Sequence, residues 1–247
     1  MKKPFLIYVI FLLSANSLFA QNQNFYGIFP VVSHSGILSK KFEYNFFLFT
    51  ALNTFNQEYD GIKFPTKAIM FYAENTLIYN FNHKFSVAAS YTYQRNNPFT
   101  SDYSNENRLW QQVTYRAFLK KTKFIFRLRF DERFIKDRVT NERPLSTRLR
   151  GLIAIELPLK KDTDKYYFTA YNEFFFNTSK PTYTVYAENW AYAGVGVKTK
   201  KYGSFEVGPL YIGGVRNASL DLQNLVYLQL SWITNVDWRK KNEGTNQ

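Results

Sequence analysis

The sequence predicts an all-β fold, an antiparallel transmembrane β-barrel of about ten to twelve strands, with short periplasmic turns and longer extracellular loops. Three observations predict it. Apolar and polar residues alternate with period 2 through most of the chain. The alternating runs are about 10 to 14 residues long, where strands of soluble sheets have about 5 to 6 and a tilted strand crossing a bilayer needs about 9 to 11. Short basic turns alternate with longer polar loops.

Residues 1–20 read as a cleaved signal peptide. Lys2 and Lys3 form its basic start, Phe5 to Leu13 its apolar segment, and Ala20-Gln21 the cut, although Leu18 is larger than the small residue usual at that place. Removing Lys2 and Lys3 from 32 basic residues leaves 30 against 19 acidic ones, so the mature chain carries +11. Export removes cytoplasmic roles, and no nucleic-acid partner is expected. The mature chain divides into an N-terminal strand or plug segment (21–39), the barrel (40–238) and a basic tail (239–247).

Aromatic residues make up 19% of the chain, too many for a disordered segment. The mean hydropathy is negative, and no run after the leader reaches the roughly 18 apolar residues of a spanning helix. Cys is 0, which excludes disulfides, thiolate metal sites and thiol nucleophiles; His is 2, which leaves little for His-built metal or triad chemistry.

Segment 24–38 is strand-like but broken by Pro30 and Gly36, and could form two short strands, a plug, or a partner at the seam. In 85–94, Phe85, Val87, Ala89, Tyr91 and Tyr93 oppose Ser86, Ala88, Ser90, Thr92 and Gln94. In 123–131, Phe124, Phe126, Leu128 and Phe130 oppose Arg127, Arg129 and Asp131. In 145–157, Leu149, Gly151, Ile153 and Ile155 oppose Arg148, Arg150 and Glu156. In 226–232, Val226, Leu228, Leu230 and Trp232 oppose Tyr227, Gln229 and Ser231. Weaker copies lie near 42–52, 67–80, 108–119, 166–176, 186–198 and 203–212. From Lys40 onward this gives about ten strands, an even count with both ends at the periplasmic rim. Aromatics crowd the strand ends (Phe46-Phe47, Tyr166-Tyr167, Phe174 to Phe176), as interfacial girdles would. Short turns fall near Lys40-Lys41, Asn82 to Lys84, Lys120 to Lys123, Lys160 to Lys165 and Lys198 to Lys201; longer loops fall near 54–66, 96–107, 136–144, 178–184 and 214–223. The Lys excess therefore gathers at one rim, where it can meet anionic headgroups.

From Trp110 onward the chain resembles a family of Gram-negative outer-membrane barrel proteins, domain of unknown function 2490. The resemblance rests on Trp110-Gln111-Gln112, the run Phe126 to Phe134, Arg148-Leu149-Arg150, the run Tyr171 to Asn177, and Tyr192 to Gly196, in that order. Trp190 stands where the family pattern tends to carry Arg, and the chain continues past Trp238 as Arg239-Lys240-Lys241, where barrels usually end on an aromatic. The resemblance implies a fold and a compartment, and no activity.

If the apolar faces meet lipid, Glu74, Arg116, Arg127, Arg129, Asp131, Arg148, Arg150, Glu156, Glu173 and Glu188 line the interior. Neighbouring strands bring such side chains within about 5 Å. They are expected to form an ion-pair network filling a narrow barrel, or else a charged constriction that selects solutes. No metal, cofactor or catalytic residue is expected. His34, in Ser33-His34-Ser35-Gly36, is the one candidate for an alternative, a lipid-modifying hydrolase, but sequence neighbours on a strand point to opposite faces. Gly194, Gly196, Gly213 and Gly214 lack the context of a phosphate loop and fit close backbone packing better. The leading expectation is thus a non-enzymatic barrel: a narrow channel, or a structural or partner-binding barrel. Its partners are outer-membrane lipid and, during biogenesis, the barrel-assembly machinery. A secreted soluble β-sandwich, with the apolar rows turned inward, is the other alternative.

Overall fold

The computed structural model describes residues 23–137, 140–160, 162–179 and 184–239. The expected leader and all of the basic tail except Arg239 lie outside them. Strands follow one another along the chain: β1 (Gln23–Ile37), β2 (Phe42–Asn53), β3 (Gln57–Tyr59), β4 (Ile62–Phe64), β5 (Lys67–Asn80), β6 (Phe85–Asn96), β7 (Ser104–Leu119), β8 (Thr122–Ile135), β9 (Leu145–Pro158), β10 (Tyr166–Asn177), β11 (Tyr186–Thr199), β12 (Gly203–Val215) and β13 (Leu222–Asp237). Eleven of them close into a barrel in the order β1-β13-β12-β11-β10-β9-β8-β7-β6-β5-β2, and β3 and β4 form a separate hairpin.

Eleven strands lie within the expected range, but the even count gives way at the seam. Segment 23–37 is neither a plug nor two short strands. It is one strand, paired antiparallel with β2 and parallel with β13. The parallel pair follows from parity: with an odd number of up-and-down strands, the first and last run the same way. The pairing of β1 with β2 lapses between Ile28 and Val31, around Pro30, which has no N–H to donate. Pro209 interrupts the β11–β12 ladder in the same way.

The Lys-rich turns after β1, β5, β7, β9 and β11 share one end of the barrel, and the connections after β2, β6, β8, β10 and β12 share the other. Strands run further into the loops than the sequence pattern suggests: β6 reaches Asn96, β7 begins at Ser104 and β12 reaches Val215. The β2–β5 loop is not irregular throughout. Its β3–β4 hairpin folds against the start of β1, where the Phe25 ring meets Tyr59 and Phe64 edge-on at 5.5 and 5.1 Å and the Tyr59 hydroxyl donates to the Asn24 carbonyl.

The alternation sorts side chains as the β8 pattern predicts. Phe126, Leu128 and Phe130 are exposed on the outer face, while Arg129 and Asp131 are 5% and 0% exposed inside. The same polarity holds in β6, where Tyr91 is exposed and Ser86, Ser90 and Thr92 are buried, and in β13, where Val226, Leu228, Leu230 and Trp232 are exposed and Tyr227, Gln229 and Ser231 are buried. The aromatic pairs at strand ends are split by it: Tyr166, Phe174 and Phe176 face out, and Tyr167 and Phe175 face in. Gly194 and Gly196 lie under inward tyrosine rings, Tyr192 and Tyr167, which a Cβ at either position would overlap. Each ring covers the gap its glycine leaves, a known way of steadying a strand glycine.

Candidate functional site

The interior has two halves. One is ionic, built by β5 to β11. Its central contact is Arg129 with Glu74, Nη1 to Oε2 at 3.1 Å. These residues sit on β8 and β5, with β6 and β7 between them, so the contact crosses the interior. Trp110 donates its indole N–H to the same Glu74 oxygen at 3.2 Å and lies against the Arg129 guanidinium, 3.6 Å from its ring centre. Gln112 accepts from both Nε and Nη2 of Arg129. Glu173 holds Arg150 in a two-pronged pair (2.9 and 3.0 Å) and Arg127 at 2.8 Å. Asp131 accepts Nε and Nη2 of Arg148, while Arg150 and Arg108 approach it at 3.7 and 3.9 Å. Arg148 reaches on to Glu188 at 3.2 Å.

Eight of the ten residues expected to line the interior thus pair with one another, Glu74 with Arg129, and Arg127, Asp131, Arg148, Arg150, Glu173 and Glu188 in a linked set beside them. Arg116 and Glu156 also face in but stand apart, nearer the turn end. Arg116 donates to Ser86 at 3.1 Å, and Glu156 pairs with Lys198 at 2.9 Å and with Lys123 at 3.9 Å. Glu156 shares β9 with Arg148 and Arg150, and the two-residue steps along the strand carry it too far toward the turns to serve them.

Three members escaped the sequence reading. Glu106 binds Arg108 at 2.6 Å and receives Nε and Nη2 of Arg133 at 2.8 and 2.9 Å. The stretch before residue 108 reads as loop because the outward positions there, Asn105 and Asn107, are polar. The usable signal was the inward row itself, Glu106-Arg108-Trp110-Gln112-Thr114-Arg116 at every second position.

Six guanidinium groups (Arg108, Arg127, Arg129, Arg133, Arg148, Arg150) therefore face five carboxylates (Glu74, Glu106, Asp131, Glu173, Glu188). Isolated ions could not be buried this way, but a nearly neutral set of bidentate and bridging pairs can.

The other half is aromatic, built by β1, β2, β5 and β10 to β13. Phe49 stacks on Phe29 and on Tyr72 at 4.5 Å each. Trp190 joins the halves. Its ring meets Phe29, Phe49 and Phe175 at 6.0, 6.1 and 5.6 Å, and its N–H donates to Glu188 at 2.9 Å. The Arg148 and Arg150 guanidinium groups lie 4.7 and 4.4 Å from the Phe175 ring centre. On the far side, the Tyr72 hydroxyl donates to Glu74. The chain of contacts Phe29–Phe49–Tyr72–Glu74–Arg129, with Trp190–Phe175–Arg150–Glu173 beside it, makes a packed layer across the interior.

The family described as "Protein of unknown function (DUF2490)" matches residues 38–224, about three quarters of the chain and every strand of the ionic half. The chain belongs to this family. No curated protein and no solved structure matches it. The DUF2490 match begins just after β1 and ends at the start of β13, so the two strands of the parallel seam fall largely outside it.

His34 faces outward from β1. Thr234 Oγ1 lies 2.8 Å from its Nδ1, and the Tyr44 hydroxyl 3.0 Å from its Nε2. Ser33 and Ser35 point to the other face, where the Asn45 amide donates to both at 3.0 Å. The imidazole thus ties β1 to β13 and β2 across the seam. Among the described residues, no group of three His, Cys, Asp or Glu side chains could hold a metal ion.

Proposed function

We propose that this DUF2490 protein is an outer-membrane barrel with a closed, non-enzymatic interior, serving as a structural or partner-binding element that presents its loop end outward. The observation that carries the reading is the inside-out polarity of the strands. Phe126, Leu128 and Phe130 stand on the outer face of β8, while Arg129 and Asp131 on the same strand are buried and ion-paired. A water-soluble sandwich or barrel would reverse this, because exposing rows of large apolar side chains to water and burying charge both cost free energy. Hydrocarbon around the barrel removes the first cost, and the ion pairs offset the second. The Lys-rich turns then lie in the periplasm, near anionic headgroups.

The packed layer from Phe29 to Arg129 favours the closed form over the narrow channel. The test is expression in a Gram-negative host with fractionation of the envelope. The expected result is a heat-modifiable band in the outer-membrane fraction, released only by detergent. Recovery in the periplasmic extract without detergent would overturn the reading.

A further inference from the structure

The outer surface carries a groove of about 960 Å³ over β11, β12, β13 and β1, within the size range of small-ligand sites. Its floor is two rows of outward side chains in register across four strands: Val197, Phe205, Trp232 and Val32 in one, and Val195, Val207, Leu230 and Pro30 in the other. Short Val and Pro side chains lie beside the stacked rings of Phe205 and Trp232, which leaves the hollow. One end opens at the turn rim, where Lys160 and Tyr166 line it. The Lys160 and Lys165 ammonium groups lie 5.6 and 5.3 Å from the Tyr166 ring centre. Lys200 and Lys201 stand in the next turn. The same rim carries Asp162 and Asp164, but Asp164 is 3.6 Å from Lys198. Trp232 donates its N–H to the Tyr202 carbonyl, as an aromatic at a headgroup boundary does.

We propose that this groove is a binding site for one anionic phospholipid, with an acyl chain along the Val and Pro rows and the phosphate at Lys160 and Lys165. The proposal rests on the membrane reading above. The apolar floor alone would take any lipid; the lysines at its mouth select the charge.

The test uses Trp232 as reporter in a Trp238→Phe background, since Trp110 is buried inside and Trp190 faces the interior. Protein is reconstituted in phosphatidylcholine vesicles doped with brominated phosphatidylglycerol or brominated phosphatidylcholine. Half-maximal quenching is expected at a several-fold lower mole fraction of the brominated phosphatidylglycerol. Lys160→Gln/Lys165→Gln should abolish that preference and leave quenching by phosphatidylcholine unchanged. Val195→Phe/Val207→Phe, which fills the hollow and keeps the lysines, should abolish it too. Equal quenching by the two lipids in the parent protein, or a preference that survives either double variant, would overturn the proposal. Absence of quenching by both lipids would instead overturn the membrane reading beneath it.

Discussion

Arg150 on β9 and Glu173 on β10, diagonal neighbours in the ladder, form a two-pronged ion pair, Nε to Oε1 at 2.9 Å and Nη2 to Oε2 at 3.0 Å, with both side chains nearly sealed from solvent. Pairs of this kind cost most when half of one is removed. Arg150→Ala would strand Glu173 with Arg127 alone and deprive Asp131 of one of its three guanidinium neighbours. The expected loss is about 3 to 5 kcal/mol. Arg150→Lys should recover only part of it, because an ammonium cannot span both carboxylate oxygens. Urea unfolding in detergent micelles, followed by gel mobility, measures both. An Arg150→Ala protein as stable as the parent would mean that water fills the network.

The Tyr167 ring lies over Gly196, and its hydroxyl donates to Glu206 at 2.7 Å. A methyl at position 196 would overlap the ring, which the Glu206 hydrogen bond holds in place. Gly196→Ala is therefore expected to cost about 1 to 3 kcal/mol through overpacking. The double variant Gly196→Ala/Tyr167→Ala should be less unstable than the sum of its parts, because the clash disappears with the ring. Additive losses in a double-mutant cycle would show that the two do not interact.

The ionic half was the more legible in the sequence. In β8 and β9, apolar residues alternate with arginines, and that contrast marks the two faces at once. Contrast fails where both faces are apolar. Every residue of Phe46-Phe47-Leu48-Phe49 is apolar, and nothing in the run says that Phe49 turns inward to stack on Phe29 and Tyr72. It also fails where the outer face is polar, as at Asn105 and Asn107, so Glu106 between them reads as loop. The aromatic half is fixed by which strands lie across the barrel from one another. That in turn depends on β1, whose pattern is blurred by Pro30 and Gly36 and whose place follows only once eleven strands are counted.

Trp190 bridges the two halves of the interior, touching both the aromatic stack and Glu188. The parent protein is expected to give no steady conductance in planar bilayers. Trp190→Ala should cost about 3 to 5 kcal/mol as a large-to-small core change. With Phe49→Ala added, the layer loses its two bridging rings, and step-like conductance is expected. Steady conductance from the correctly folded parent would show that the layer does not seal the barrel.

The parallel seam makes a prediction that needs no knowledge of function. Tyr26 pairs with Val226 and Ile28 with Leu228, so the register rises together on the two strands. Adjacent strands lie about 4.8 Å apart, close enough for a disulfide. The chain has no cysteine of its own, so introduced pairs report without background. Tyr26→Cys/Val226→Cys and Ile28→Cys/Leu228→Cys should both cross-link under mild oxidation, seen as a reduction-sensitive mobility shift on gels. Tyr26→Cys/Leu228→Cys is offset by two residues and should cross-link far less. If β1 ran antiparallel to β13, a match at one position would move out of register at the next, and the two in-register pairs could not both form. Cross-linking of only one of them would therefore refute the eleven-strand closure, whatever its cause elsewhere in the barrel.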